Sequence, residues 1–174
     1  MKLRVFAVVV AGMLLSTAAH AQTFTAKLTG FQETGAVVSA GTGSARITIN
    51  NDGTISYELS FSGLEGGNVL VAHIHVGQKN VSGGVAIFFC GGGNSAATQA
   101  ACPQQGTVSG TWSASDVVGP KAQGVDPADP TRLSRVIEAI KAGRSYANVH
   151  TTRSPTGEIR GQFLRRHDDD DDDD

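Results

Sequence analysis

Short runs with an apolar residue at every second position recur along this chain, and that alternation constrains its fold more than any other feature. Phe24, Ala26 and Leu28 alternate with Thr25, Lys27 and Thr29. Ala45, Ile47 and Ile49 repeat the pattern, as do Ile55, Tyr57, Leu59 and Phe61. A strand turns successive side chains to opposite faces, so each run predicts a half-buried strand. Asn50-Asn51-Asp52-Gly53 separates the second and third runs and predicts a hairpin, because Asp-Gly suits a tight turn with positive φ. Further strands are expected around His73, over 85–89, 107–112, 146–151 and 158–164. The run 85–89 is nearly continuous in apolar character and so reads as central. The last two strands are joined by the turn composition Arg153-Ser154-Pro155-Thr156-Gly157. Many short strands punctuated by turns predict an all-β fold, a β-sandwich with Greek-key connections.

One stretch has a different period. In 131–143, Leu133, Val136, Ile137 and Ile140 fall at i, i+3, i+4 and i+7, the stripe of an amphipathic helix. Asp129 is expected as N-cap with Pro130 first in the helix, and Gly143 as the residue that ends it. The helix is expected to cover an edge or end of the sheets. The preceding Gly/Pro/Asp-rich segment 119–130 reads as an exposed loop.

The chain opens with Lys2 and Arg4, an apolar run over 5–15, and Ala19-His20-Ala21. This pattern predicts a secretory signal peptide over 1–21, hence export to the periplasm or beyond. The apolar run is too short for a bilayer anchor, and no cysteine lies near the cleavage site to carry lipid. Removing 21 of 174 residues leaves 153, enough for one domain, 22–166, followed by an acidic tail over 167–174. From Gln22 to His167 there are twelve Lys and Arg against nine Asp and Glu, about +3, with no basic stripe for nucleic acid. The tail, Asp168, Asp169, Asp170, Asp171, Asp172, Asp173 and Asp174, carries seven acidic groups. It reads as a solvated, self-repelling segment, or as a weak calcium, mineral-surface or basic-partner binder, since carboxylates are hard oxygen ligands. Cys90 and Cys102, the two cysteines of an exported chain, are expected to form a disulfide around a Gly-rich stretch.

Three histidines carry the chemistry. His73 and His75 share one pleat of their strand while Ala72, Ile74 and Val76 take the other. His150 likewise opposes Ala147, Val149 and Thr151. If the aliphatic residues turn into one core, the three imidazoles emerge together on the outer surface, a first shell suited to copper or zinc. Such ligands bind as neutral imidazoles, so affinity is expected to fall below about pH 6.5. Both methionines lie in the leader, so no Met ligand is available. Tyr146 and Asn148 share the pleat of His150, and with Glu33 and Arg160 they are candidates to support the ligands. For Arg160 and Glu158 the simpler expectation is a cross-strand surface ion pair or contacts to nearby loops. No Ser-His-Asp arrangement, phosphate loop or carboxylate pair can be placed, which favours a binding protein over an enzyme.

Several segments together resemble one family. Leu28-Thr29-Gly30-Phe31-Gln32-Glu33, Leu64-Glu65-Gly66, Ala72 to Gly77, Tyr146 to Thr151 and Ser154 to Gln162 are similar to pieces of the CHRD (chordin-type) domain as found in exported bacterial proteins. The resemblance runs from about 23 to 164 and implies an immunoglobulin-like β fold, with little said of activity. His73-Ile74-His75 is also similar to the copper-ligand strand of copper–zinc superoxide dismutase, with Arg160 where an anion-guiding arginine would lie. Beyond the three histidines the mature domain has only His167, so the bridging and zinc-site histidines of that enzyme are missing. The expectation is therefore an exported domain that binds copper, or alternatively zinc, through His73, His75 and His150 for binding, storage or delivery. The alternatives are a non-catalytic extracellular interaction module for a protein, matrix or mineral, and a copper enzyme acting on superoxide or another small oxidant.

Overall fold

The computed structural model describes residues 21–92 and 100–166. The expected signal peptide, except Ala21, and the expected tail over 167–174 lie outside the described residues, as do Gly93 and Asn94. The alternating runs become nine strands: β1 Gln22–Thr29, β2 Thr42–Ile49, β3 Ile55–Ser62, β4 Val69–Val76, β5 Gly84–Cys90, β6 Gly106–Trp112, β7 Ser145–Thr151, β8 Ile159–Gln162 and β9 Leu164–Arg165. The expected last strand is broken at Phe163, whose amide donates to the Ser145 carbonyl (3.0 Å). Beyond that break β9 pairs only with β1.

All strands join one antiparallel sheet in the order β5-β4-β7-β8-β1-β2-β3-β6, with β9 off this path beside β1. The all-β class and the single helix hold. The hydrogen bonding runs through one nearly closed, barrel-like sheet rather than dividing into two. The two end strands approach each other: Trp112 Nε1 donates to the Phe88 carbonyl (2.9 Å) and Ile87 bridges to Val117. Phe24, Leu28, Ile47, Ile55, Leu59, Ile74, Ile87, Phe89, Trp112 and Phe163 fill the interior.

The helix α1 spans Arg132–Lys141 and turns Leu133, Val136 and Ile140 into the same core. It starts two residues later than expected, with Thr131 at the N-cap position. Asp129 instead accepts from the Thr131 amide and hydroxyl, both at 2.7 Å, and so closes the turn that precedes the helix. Gly143 takes φ +66° just past the end, as expected, and the Arg144 amide reaches back to the Ala139 carbonyl (2.8 Å). The segment 119–130 is more than an exposed loop. Val125 is buried in the core, and the Gln123 amide group bridges the Gly84 amide and the Val76 carbonyl, tying the segment to the ends of β4 and β5.

Candidate metal centre

β4 and β7 are neighbours near the β5 end of the path, and their register decides which side chains meet. His73 lies opposite Asn148, His75 opposite Tyr146, and Val71 opposite His150. The histidines of both strands therefore share one face, with His150 diagonal to His73. The ladder between β4 and β5 shifts between Ala72 and His73 and again between Ile74 and His75. Such bulges re-aim side chains locally.

The three imidazoles do meet, but not on an outer surface. His73, His75 and His150 are only 5%, 8% and 8% exposed. The expectation of exposure assumed a sheet with one solvated face; here β7 is buried on both faces along its whole length. Polar connections cover the histidine face. Gly83 and Tyr146 close it at His75, Pro155 closes it at His150, and the Phe88 ring stands edge-on to His73 at 5.3 Å.

The ring centroids of His73 lie 4.4 Å from His75 and 4.5 Å from His150, so His73 is the middle of the group. One potential ligand atom from each lies within 4.8 Å of the other two. His75 Nδ1 contacts the Gly83 carbonyl at 2.8 Å, and His150 Nδ1 contacts the Pro155 carbonyl at 3.0 Å. A carbonyl only accepts, so both Nδ1 atoms carry the proton and both Nε2 atoms keep a lone pair. Those Nε2 atoms and His73 Nδ1 are buried without a partner among the described residues. Buried polar atoms normally find one, and leaving one unpaired costs about 1–3 kcal/mol. Three such atoms converging on one point fit a metal ion. Bonds of about 2.0–2.1 Å at tetrahedral angles would set nitrogens about 3.4 Å apart, a short closure from the observed spacing. Cys90 and Cys102 are joined, as expected, in a disulfide of 2.07 Å, and so supply no thiolate.

Burial sets the protonation of the group. It pushes the His73 imidazole down to about 2, with the neighbouring His75 and His150 adding to the effect. It pushes His75 down to about 4, against the opposing Gly83 contact, and lowers His150 against that of Pro155. His73 and His75 therefore stay neutral well below pH 6.5, the point at which ordinary histidines begin to lose a metal to protons, and His150 is shifted in the same direction.

The supporting residues also come together. Tyr146 stacks on His75, nearly parallel (8°) at 4.6 Å, and its hydroxyl accepts from the Gly83 amide (3.1 Å). The Arg160 guanidinium lies 3.5 Å over the Tyr146 ring. Because β7 runs between β4 and β8, Arg160 and His75 reach the ring from opposite sides. Asn148 donates to the Ile159 carbonyl (2.9 Å) and to Glu33 Oε1 (2.5 Å). Burial raises the Glu33 carboxyl to about 7, outweighing Asn148 and Arg160, which both favour its charged form.

Glu158 and Arg160 are not a surface pair. Both are buried, and among the described residues the ion pairs are Lys121–Asp126 and Arg135–Glu138. Glu158 accepts from Ser39, Thr151 and the amides of Glu65 and Gly66, the loop contacts that were the alternative to an ion pair. The Gly83 and Pro155 carbonyls were missed, since a main-chain acceptor leaves no trace in residue type. Gly157 did leave one. A Cβ there would come within 2.6 Å of both Asn148 and Glu33, and its φ is +127°.

These elements coincide with the segments that carried the family resemblance. The CHRD domain family matches residues 24–163. The chain belongs to this family. No curated protein and no solved structure matches it. Membership suggests an extracellular interaction module, and in this CHRD domain the three histidines form a group that could hold a metal ion. No helix among the described residues is long and apolar enough to cross a membrane.

Proposed function

We propose that this is an exported CHRD domain that binds one transition metal ion, copper by preference, through His73, His75 and His150, for metal binding, storage or delivery. The observation that carries this reading is a close group of three histidines, each with a buried imidazole nitrogen that has no partner among the described residues, two of them held in the ligating tautomer by the Gly83 and Pro155 carbonyls. Three nitrogen donors with an open position suit Cu(II) or Zn(II), and the Irving–Williams order favours copper where both are present. The disulfide and the family fit a chain exported behind a leader over 1–21. Titration of the metal-free mature protein with Cu(II) should give one ion per chain. His75→Ala should weaken binding at least tenfold, about 1.4 kcal/mol. Unchanged copper affinity in a triple variant with all three histidines changed to Ala would refute the proposal.

Family membership favours a second reading, a non-catalytic extracellular module for a protein, matrix or mineral. Elemental analysis of protein purified from its host without a histidine tag separates the two. A metal-free protein supports the second reading, and a stoichiometric metal supports the first.

A further inference from the structure

A cavity of about 250 Å³ lies beside the histidine group, lined by Glu33, Thr34, Val37, Tyr146, Ser82 and Arg160 among others. Arg160 is the exceptional member of this wall. It is 3% exposed, yet among the described residues no carboxylate lies within ion-pair distance of it. Its guanidinium donates to Thr34 Oγ1 (2.8 Å) and to the carbonyls of Gln78 and Val81 (both 3.0 Å), and Tyr146 covers one face. A guanidinium has five N–H donors, so two have no protein partner among the described residues. A buried cation whose partners are all neutral retains an unbalanced charge, which a protein interior tolerates poorly. Glu33 shares the wall, but its carboxylate is engaged by Asn148 at 2.5 Å. Burial raises its carboxyl to about 7, so below that pH it is largely the neutral acid and leaves Arg160 unbalanced, while at pH 8 its charge competes with a bound anion.

We propose that this cavity is a binding site for a small carboxylate, anchored by Arg160. A carboxylate can accept from the N–H groups that Arg160 leaves free, and the Thr34 and Ser82 hydroxyls line the same space. At about 30 Å³ per water the volume is that of about eight waters, and the Val37 side provides an apolar wall for a short carbon chain. His75 also lines the cavity, so the metal-free protein is the form that isolates the contribution of Arg160.

The test is an acetate titration of the metal-free mature protein at pH 8, followed by NMR, with chloride at equal ionic strength as control. Saturable shifts confined to Arg160, Tyr146 and the Thr34 region are expected with acetate and not with chloride. Arg160→Gln should weaken acetate binding at least tenfold. Glu33→Gln removes the one negative charge in the wall while keeping an oxygen for Asn148, and should tighten binding at least threefold. Non-saturable or scattered shifts in the parent protein would overturn the proposal, as would undiminished binding in Arg160→Gln. If Arg160→Gln does not fold, Glu33→Gln decides, and unchanged or weaker binding there overturns it.

Discussion

The metal-free protein should lose stability as pH falls from 6.5 to 5, long before its ordinary carboxylates are protonated. In the unfolded chain each histidine titrates near 6.5 and holds about 0.9 proton at pH 5.5. In the folded protein His73, at about 2, and His75, at about 4, hold almost none. A lowered folded pKa means stability that is fully present above the unfolded value and is lost as pH falls toward the folded one. These two groups give the unfolded state an excess of about 1.8 protons at pH 5.5, and His150, lowered in the same direction, adds up to about 0.9 more. Glu33 acts oppositely. Its folded value of about 7 exceeds the unfolded value near 4.3, so its contribution is present in acid and lost as pH rises through 7. It subtracts about 0.9 proton. The net excess of about 0.9 to 1.8 protons makes the slope roughly 1 to 2.5 kcal/mol per pH unit. Urea unfolding in the presence of a chelator at pH 7.5, 6.5, 5.5 and 5.0 measures it. Glu33→Gln should steepen the slope by about 1.2 kcal/mol per pH unit, and His75→Gln should flatten it by about as much. A stability that is level or rising between pH 6.5 and 5.0 would show that the imidazoles are not held neutral and that the site is wetter than described.

Glu158→Ala should destabilise the fold by about 3 kcal/mol or more, because it leaves the Glu65 and Gly66 amides and two hydroxyls without their acceptor. A loss under about 1 kcal/mol in urea unfolding would contradict this. Intact mass of the exported protein should read two hydrogens below the reduced form, and reduction should lower its melting temperature, the loop being worth about 3 kcal/mol. Two reactive thiols in native protein would rule the bridge out. Deleting Asp168 to Asp174 should leave melting temperature and copper stoichiometry unchanged, and a truncated protein that loses its copper would place the tail in the site.

Period-two alternation located β1, β2 and β3 because each has one face in the core, and that face must be apolar whatever the partner. The same signal placed His73, His75 and His150 on one side of β4 and β7, but it could not report what lies over that side. The loops carrying Gly83 and Pro155 cover it with main-chain groups, and main chain is the same for every residue type. Hence the cluster was legible and its burial was not. Tyr146, Asn148 and Arg160 were legible from pleat and strand face, whereas Glu33 follows a strand in a loop whose path no local pattern fixes. The sandwiching of Tyr146 between His75 and Arg160 depends on strand order across the sheet, which no local pattern encodes. Helix α1 was found from its stripe, and its start was missed by two residues because Asp129 caps a turn instead of the helix itself.

The two imidazole tethers end on carbonyl oxygens, and this decides how the site can change. A tether made by a side chain can be deleted or strengthened by one substitution, so a lineage or an engineer can adjust it in small steps. The oxygens of Gly83 and Pro155 survive every substitution at their own positions and move only when their loops change length or path. Point changes around the site should therefore alter access and polarity while the two rings keep their protonation pattern. Insertions or deletions between β4 and β5, or between β7 and β8, are the changes that would free the rings to turn over and give up their lone pairs.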